Sequence, residues 1–448
     1  MSRLDRAATG PDQDLLFPYR RRLQTVAPFR FSGTVTEVTG LLIASRGPWL
    51  PVGGVCHIYP LGGGRPTLAE VVGFRGEQTL LIALGELRGV GPGSRVVALA
   101  REAHYPVGEE LLGRVVDGLG RPIDGKGVIA AHSYPIYAGS SNPLDREEIR
   151  EPLDIGIRSI NGLVTLGKGQ RVAIMAGAGV GKSTLLAMIA RNTRADVKVI
   201  ALIGERGREV EEFVARTLPA EERDRMVVVA ATSEAPALVR VRGAFIATTI
   251  AEYFRDRGQD VLLLMDSLTR FAMAQREAGL AAGEPPSTKG YTPSVFALLP
   301  RLLERAGSWK GKGSITGLYT VLMEGDDPHE PIADAVRSLT DGHLQLSRRL
   351  AEQAHYPAVD VLSSVSRVRS RVTSPEHQRC VSEIIRIMAA RRDAEDLIQI
   401  GAYVGGKNPD VDRALELAPR LRDYLCQRRD EDVPLEASIR GLAELLAG

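Results

Sequence analysis

Arg171-Val-Ala-Ile-Met-Ala-Gly-Ala-Gly-Val-Gly-Lys-Ser-Thr-Leu-Leu186 runs from an apolar stretch through a glycine-rich turn into a helical pattern. Val172 to Met175 predicts a buried strand, and Leu185, Leu186, Met188 and Ile189 predict the apolar face of a helix. A phosphate-binding loop requires this strand–loop–helix context. Gly177, Gly179 and Gly181 let backbone N–H groups point at anionic oxygens with no Cβ in the way. A helix opening near Lys182 turns its positive dipole end on the same oxygens. Lys182 then reaches the β- and γ-phosphates, and the Ser183 hydroxyl can ligate Mg²⁺. Ala176 stands where the strict pattern has its first glycine, Ala178 and Val180 fill the variable positions, and Gly181-Lys182-Ser183-Thr184 is intact. An ordinary strand-to-helix connection has no need of Lys-Ser after its glycines, so residues 176–184 are expected to bind a nucleoside triphosphate.

The surrounding composition is that of a globular protein. The chain has 448 residues, enough for roughly three domains, with 44% hydrophobic and 25% charged residues. A net charge of +2 argues against general nucleic-acid affinity. Cys56, Cys380 and Cys426 are scattered without metal-ligand spacing and fit a reducing cytosol. Neither a signal peptide nor an apolar run long enough to span a bilayer is visible, so membrane association is expected to be peripheral.

Four segments are expected. Residues 1–26 hold a polar tail and a short helix at Leu15 to Gln24, which either docks on its own domain or engages a partner or an anionic lipid surface. Residues 27–98 predict a small β-barrel: Gly33 to Gly40, Leu41 to Ala44, Val52 to His57, Ala69 to Phe74 and Thr79 to Ala83 read as short strands separated by Gly and Pro. Few of its aromatics suit base stacking, so a structural collar is favoured over an oligonucleotide binder. In residues 99–370 a turn-rich stretch at Gly113 to Gly125 precedes alternating strands and helices, the pattern of a parallel sheet. Strands are predicted at Val197 to Ile203, Met226 to Ala231, Val261 to Met265, Ser314 to Met323 and His343 to Leu346, with helices at Glu209 to Ala215 and Gly243 to Arg255. Residues 371–448 predict only helices, at Glu376 to Arg391, Val411 to Gln427 and Leu435 to Leu446. The fold class is therefore α/β, with an N-terminal barrel, a central P-loop (RecA-like) domain and a C-terminal helical domain.

Three further groups belong with the phosphate loop. Leu262-Leu-Leu-Met-Asp266 ends a buried strand in a carboxylate suited to holding Mg²⁺ through its waters. Glu205 follows a buried strand directly and so lies at the sheet edge where such folds bind ligands. It is assigned as the water-activating carboxylate, with Arg206 as a neighbour of the γ-phosphate; the alternative is a surface ion pair between the two. Phosphoryl transfer gains most from a cation at the developing charge. Arg367, in Ser363-Ser-Val-Ser-Arg367, is the candidate, although by itself it reads as a surface arginine.

These pieces resemble the ATPases of flagellar and type III protein export, relatives of the catalytic heads of rotary ATP synthases. The resemblance is carried by Leu112-Gly-Arg-Val-Val-Asp-Gly-Leu-Gly-Arg-Pro122, Ala176 to Ser183, Gly204-Glu-Arg-Gly-Arg-Glu-Val210, Met265-Asp-Ser-Leu-Thr-Arg-Phe-Ala-Met-Ala-Gln-Arg276, Gly283-Glu-Pro-Pro-Ser-Thr-Lys-Gly-Tyr291 and His355-Tyr-Pro-Ala-Val-Asp360. Ala176 in the first loop position is usual in that family. The resemblance implies a homohexameric ring that hydrolyses ATP with Mg²⁺, promoting chaperone release and delivery of export substrates to a membrane gate. Lys182, Ser183, Glu205 and Asp266 would come from one subunit and Arg367, matching the arginine finger, from the next. Tyr356 matches the aromatic that packs on adenine. Rotary heads add a second aromatic, for which Gln427-Arg-Arg-Asp430 offers no counterpart. Ala281 to Tyr291 and Gly405 to Pro409 would face a coiled-coil stalk in the ring centre, with Lys407 where rotary heads are acidic. The N-terminal helix would meet a dimeric regulator, at the cytoplasmic face of the plasma membrane. No nucleic-acid partner is expected.

The alternatives are a rotary ion-translocating ATPase subunit, an RNA-translocating hexamer and a non-catalytic ring subunit. Arg-Gly-Arg-Glu after Glu205 and the Gly283–Gly290 loop favour export. Glu205 beside an intact Lys182 disfavours a non-catalytic role. Overall resemblance leans towards the flagellar branch.

Overall fold

The computed structural model describes residues 30–100, 102–127, 132–139, 142–217, 220–323, 325, 327 and 330–447. The helix expected at 15–24, and the partner contacts assigned to it, lie outside the described residues. The chain forms two compact units, divided between Glu102 and Ala103.

The first unit is a closed six-stranded antiparallel barrel. Its strands are β1 (Ser32–Thr39), β2 (Leu42–Arg46), β3 (Val55–Ile58), β4 (Thr67–Arg75), β5 (Gln78–Ala83) and β6 (Arg95–Ala100), in the order β1-β2-β5-β4-β3-β6. The expected strand over 52–57 is displaced, because Val52 belongs to the turn before β3. The closing strand β6 went unpredicted; it pairs with both β1 and β3 and removes the last sheet edge. Val35, Ile43, Cys56, Ile58, Val71, Leu81 and Val96 fill the interior. Burial pushes the Cys56 thiol up to about 12, which makes it a core residue and no nucleophile.

The second unit is built on one large sheet. Besides the two-stranded ribbon of β7 (His104–Val107) and β9 (His132–Pro135), its strands are β8 (Arg114–Asp117), β10 (Arg171–Ala176), β11 (Val197–Ile203), β12 (Met226–Ala231), β13 (Val261–Asp266), β14 (Gly307–Ser308), β15 (Ser314–Leu322), β16 (Gly342–Leu346) and β17 (Val359–Ser366). They lie in the order β17-β16-β10-β15-β13-β11-β12-β8, with β14 on β15. Every pairing from β16 to β8 is parallel; β17 is an antiparallel edge strand. The central strands β10, β11, β13 and β15 are almost wholly buried, as strands covered on both faces must be.

Two sequence expectations need correction here. The turn-rich stretch after Gly113 contributes β8, the far edge of the sheet, before its tight turn. The helix expected from Gly243 begins six residues earlier, at Ala237, and runs to Asp256. Gly243 does not start the helix; it lets the helix approach the sheet, since a Cβ there would come within 3.1 Å of the Ala231 methyl.

The C-terminal helices Pro375–Asp393, Pro409–Leu425 and Leu435–Ala447 agree with the expected ones to within two residues. Ser374 and Asn408 cap the first two through their side chains, each with Pro at the first helical turn. They enclose an apolar cluster of Val381, Ile384, Leu421, Tyr424, Leu425 and Leu442 that also takes in Leu163 and Val361 of the sheet region. The second helix ends at Leu425 because Gln427 turns inward. Its amide donates to the Gly156 and Glu431 carbonyls at 2.8 and 3.0 Å and accepts from Arg158 N–H at 2.8 Å.

Candidate active site

β10, β11 and β13 are parallel and in register, so the loops after their last residues gather at one end of the sheet. β10 delivers the phosphate loop, β11 delivers Gly204-Glu205, and β13 delivers Asp266. The helix Lys182–Asn192 follows the loop and buries Leu185, Leu186, Met188 and Ile189, the face its spacing predicts. Gly181 sits before it at φ +89°, a left-handed conformation that brings Lys182 to the first helical position.

The Lys182 ammonium bridges two carboxylates. Nζ is 2.5 Å from Asp266 Oδ1 and 3.7 Å from Glu205 Oε1. Asp266 Oδ1 also accepts from Thr320 Oγ1 at 2.6 Å, so the hydrogen bonds from described residues to this carboxylate all fall on one oxygen. Glu205 Oε1 is buried and makes no hydrogen bond among the described residues; 3.7 Å is too long for one. Burial, reinforced by the negative charge of Asp266 and partly offset by Lys182, raises the Glu205 carboxyl to about 7. A carboxylate poised there can hold or release a proton near neutrality.

Ser183 and Thr184, next to Lys182, are exposed at the start of the helix. The Ser183 hydroxyl and the Asp266 carboxylate are oxygen donors of the kind Mg²⁺ takes and could hold it. Tyr356 packs on the loop: a Cβ on Gly181 would lie 3.3 Å from its Cε1, yet the residue remains 44% exposed. It offers an aromatic face beside the phosphate loop. The Gln427 N–H donates to the Tyr356 carbonyl at 2.9 Å.

Two predicted residues are not brought into this cluster. Arg206 has an 81% exposed side chain and pairs with Glu209 at 3.3 Å. The predicted neighbour of the γ-phosphate is thus an exposed member of a surface ion pair, because it precedes the helix Gly207–Glu212 and turns along it. Arg206 does not pair with Glu205; its partner Glu209 abuts the Glu205 carboxyl and adds to its upward shift. Arg367 is exposed at the opposite end of the sheet, its N–H donating to the Asp341 carbonyl at 2.9 Å beside the start of β10.

Three residues at the site were not singled out from the sequence. Thr320 orients Asp266 from within the buried strand β15. Arg348 donates to the Ala178 carbonyl of the phosphate loop at 3.1 Å. Arg270 packs on Gly204, where a Cβ would meet its own Cβ at 2.7 Å, and its buried Nε lacks a partner among the described residues. The only sequence signal for Arg270 was its place four residues after Asp266 in a quoted motif.

Comparison with known proteins agrees with this geometry. The nucleotide-binding domain of the ATP synthase alpha/beta family matches residues 156–366, the beta-barrel domain of that family matches 35–100, and the T3SS EscN ATPase C-terminal domain matches 373–444. The flagellum-specific ATP synthase of Treponema pallidum is 50% identical, over 97% of each chain. Among solved structures, the assembled ATPase EscN of the enteropathogenic E. coli type III secretion system has a TM-score of 0.88 at 43% identity, covering 92% of this chain and all of that one. EscN in complex with its central stalk EscO gives a TM-score of 0.85 at 42% identity, with the same coverage. With a nucleotide-binding domain of that family, its barrel and the secretion-type C-terminal helices in one chain, this protein belongs to the ATP synthase alpha/beta family, in the branch of flagellum-specific and type III secretion ATPases, and is an ATP hydrolase.

Proposed function

We propose that the protein powers flagellar or type III protein export as a homohexameric ring, with each site cradled by one protomer and completed by Arg367 of the next. The observation that carries this is the separation of Arg367 from its own phosphate loop. The two lie at opposite ends of the sheet, whereas Lys182, Glu205 and Asp266 converge. A protomer alone therefore holds three of the four charged groups that phosphoryl transfer calls for.

In this scheme loop residues 176–184 wrap the phosphates with backbone N–H groups and Lys182 neutralises the β- and γ-oxygens. Ser183 and Asp266 would hold Mg²⁺, which would screen the phosphate charge. Glu205, with its free buried oxygen, orients the attacking water and accepts its proton. Tyr356 packs on the adenine ring. Arg367 of the neighbour meets the charge that develops on the γ-phosphoryl group. Arg206, exposed and paired with Glu209 in the single chain, is assigned to the γ-phosphate only in the assembled ring.

The secretion-type C-terminal match supports export over a rotary catalytic subunit. The structure of EscN in complex with its central stalk EscO supports a stalk partner, which in this scheme is a coiled coil facing residues 281–291 and 405–409. Hydrolysis would release chaperones from export substrates and deliver them to the membrane gate, with the N-terminal segment meeting a dimeric regulator at the cytoplasmic face of the membrane. Among the described residues no helix is long and apolar enough to cross a membrane.

Specific ATPase activity measured against protein concentration tests the ring. It should climb steeply through the range where sedimentation detects association. A constant value down to purely monomeric samples would refute the shared site.

A further inference from the structure

Arg367 leaves the end of an edge strand, where, among the described residues, one side of the ladder has no partner strand. The segment is held from the start of β10 instead. Gln170, fully buried, stands immediately before that strand. Its Oε1 accepts from Gly167 N–H at 2.9 Å. Its Nε2 donates to the Asp341 carbonyl at 3.0 Å and to Ser366 Oγ at 3.2 Å. The same Asp341 carbonyl accepts the Arg367 N–H at 2.9 Å. The Asp341 carboxylate is gripped in turn by Arg171, through Nε at 3.0 Å, Nη2 at 3.1 Å and the backbone N–H at 3.1 Å.

The chemistry of these contacts restricts what can occupy position 170. Gly167 presents a donor and Asp341 an acceptor, so one side chain must accept on one side and donate on the other. A carboxamide does both. A carboxylate would set oxygen against the Asp341 carbonyl, and an apolar chain would leave buried polar groups unsatisfied. Gln170 thus clamps both residues that fix the Arg367 backbone, Asp341 across the ladder and Ser366 before it.

We propose that Gln170 is a positioning residue for Arg367, setting from the base of its own phosphate-loop strand where that arginine enters the neighbouring site. The inference rests on Arg367 acting in the adjacent protomer. A misplacement of about 1 Å can cost ~100-fold in rate, so loss of the clamp should register in turnover while nucleotide affinity stays unchanged.

The mixed-ring experiment separates this role from a structural one. Gln170→Met keeps the volume and removes both hydrogen-bonding functions. Pure Gln170→Met rings should turn over ATP about 10- to 100-fold more slowly, with unaltered affinity for a fluorescent ATP analogue. Mixed with Glu205→Gln protomers, they should exceed the summed activities of the two pure rings, because Gln170→Met sites then receive a correctly placed arginine. An Arg367→Ala plus Glu205→Gln mixture is run alongside. If that mixture recovers and the Gln170→Met mixture does not, Gln170 serves its own site and the proposal fails while the role of Arg367 stands. If the Arg367→Ala mixture does not recover, the shared-site account fails and takes the proposal with it. Wild-type turnover in pure Gln170→Met rings also overturns it. Should Gln170→Met fail to fold, Ser366→Ala removes one arm of the clamp, with the same pattern and a smaller loss expected; unchanged turnover there is equally fatal.

Discussion

Tyr356 and Arg367 lie beyond opposite ends of the same strand, β17: the ring of Tyr356 packs on Gly181 of the phosphate loop, and the N–H of Arg367 is bonded to Asp341 beside the start of β10. At ~3.3 Å per residue the six residues of β10 set those ends about 17 Å apart. An arginine side chain does not cover that distance. One edge strand therefore carries an aromatic beside the phosphate loop at one end and, at the other, an arginine out of that loop's reach.

Lys182→Ala leaves Glu205 and Asp266 facing each other without the ammonium between them. Two buried like charges then repel, and the phosphates lose their cation. ATP turnover should fall to background, and fluorescent-nucleotide titration should show weakened binding. Hydrolysis within about tenfold of wild type would contradict the assignment.

Glu205→Gln preserves size and removes the proton acceptor. Nucleotide binding should persist while single-turnover cleavage stops. Retained cleavage at the wild-type rate would mean that another group activates the water.

The Glu205 carboxyl, raised to about 7 by burial and by Asp266, gives a pH dependence with a definite sign. The water-orienting form is the carboxylate, so kcat/KM should rise through a limb near pH 7. Folding stability runs the other way. The native state binds the proton more tightly than the unfolded chain, so the contribution of this group falls as pH climbs from the ordinary glutamate range towards 7. Melting temperatures of wild type and Glu205→Gln, compared at pH 5 and pH 8, should therefore diverge at the higher pH in favour of the variant. A wild-type kcat/KM profile flat from pH 6 to 8 would count against the carboxylate.

Tyr356→Ala removes a flat contact worth ~1–3 kcal/mol by analogy with base–aromatic stacks. KM for ATP should rise by about tenfold with kcat little changed, and KM for GTP should rise equally, because stacking does not distinguish the bases. A rise confined to ATP would point to a contact that reads the adenine edge.

Much of this is visible in the residues alone. The phosphate loop is a local device, in which glycines, lysine and serine at fixed spacing act within one turn, so 176–184 could be read directly. The strands β11 and β13 announce themselves as unbroken apolar runs, and the residue after such a run lands at the ligand edge; this located Glu205 and Asp266. β17 was not legible, because Asp360, Ser363, Ser364 and Ser366 give an edge strand the texture of a loop. Thr320 and Arg348 reach the site from elements distant in sequence, and Arg270, about one helical turn past Asp266, carries no pattern that says which way its side chain packs. Where the Arg206 side chain points was not legible either: adjacency to Glu205 does not fix side-chain direction, and in the single chain the next helix draws it to Glu209.

The most direct test mixes Arg367→Ala protomers, which keep an intact cradle, with Glu205→Gln protomers, which keep the arginine. Each pure ring should be nearly inactive, the first slowed by ~10³-fold or more. If Arg367 crosses between protomers, steady-state ATPase activity should reappear on mixing, with a maximum at an intermediate ratio. Activity that stays at the sum of the two parents at every ratio would contradict the account.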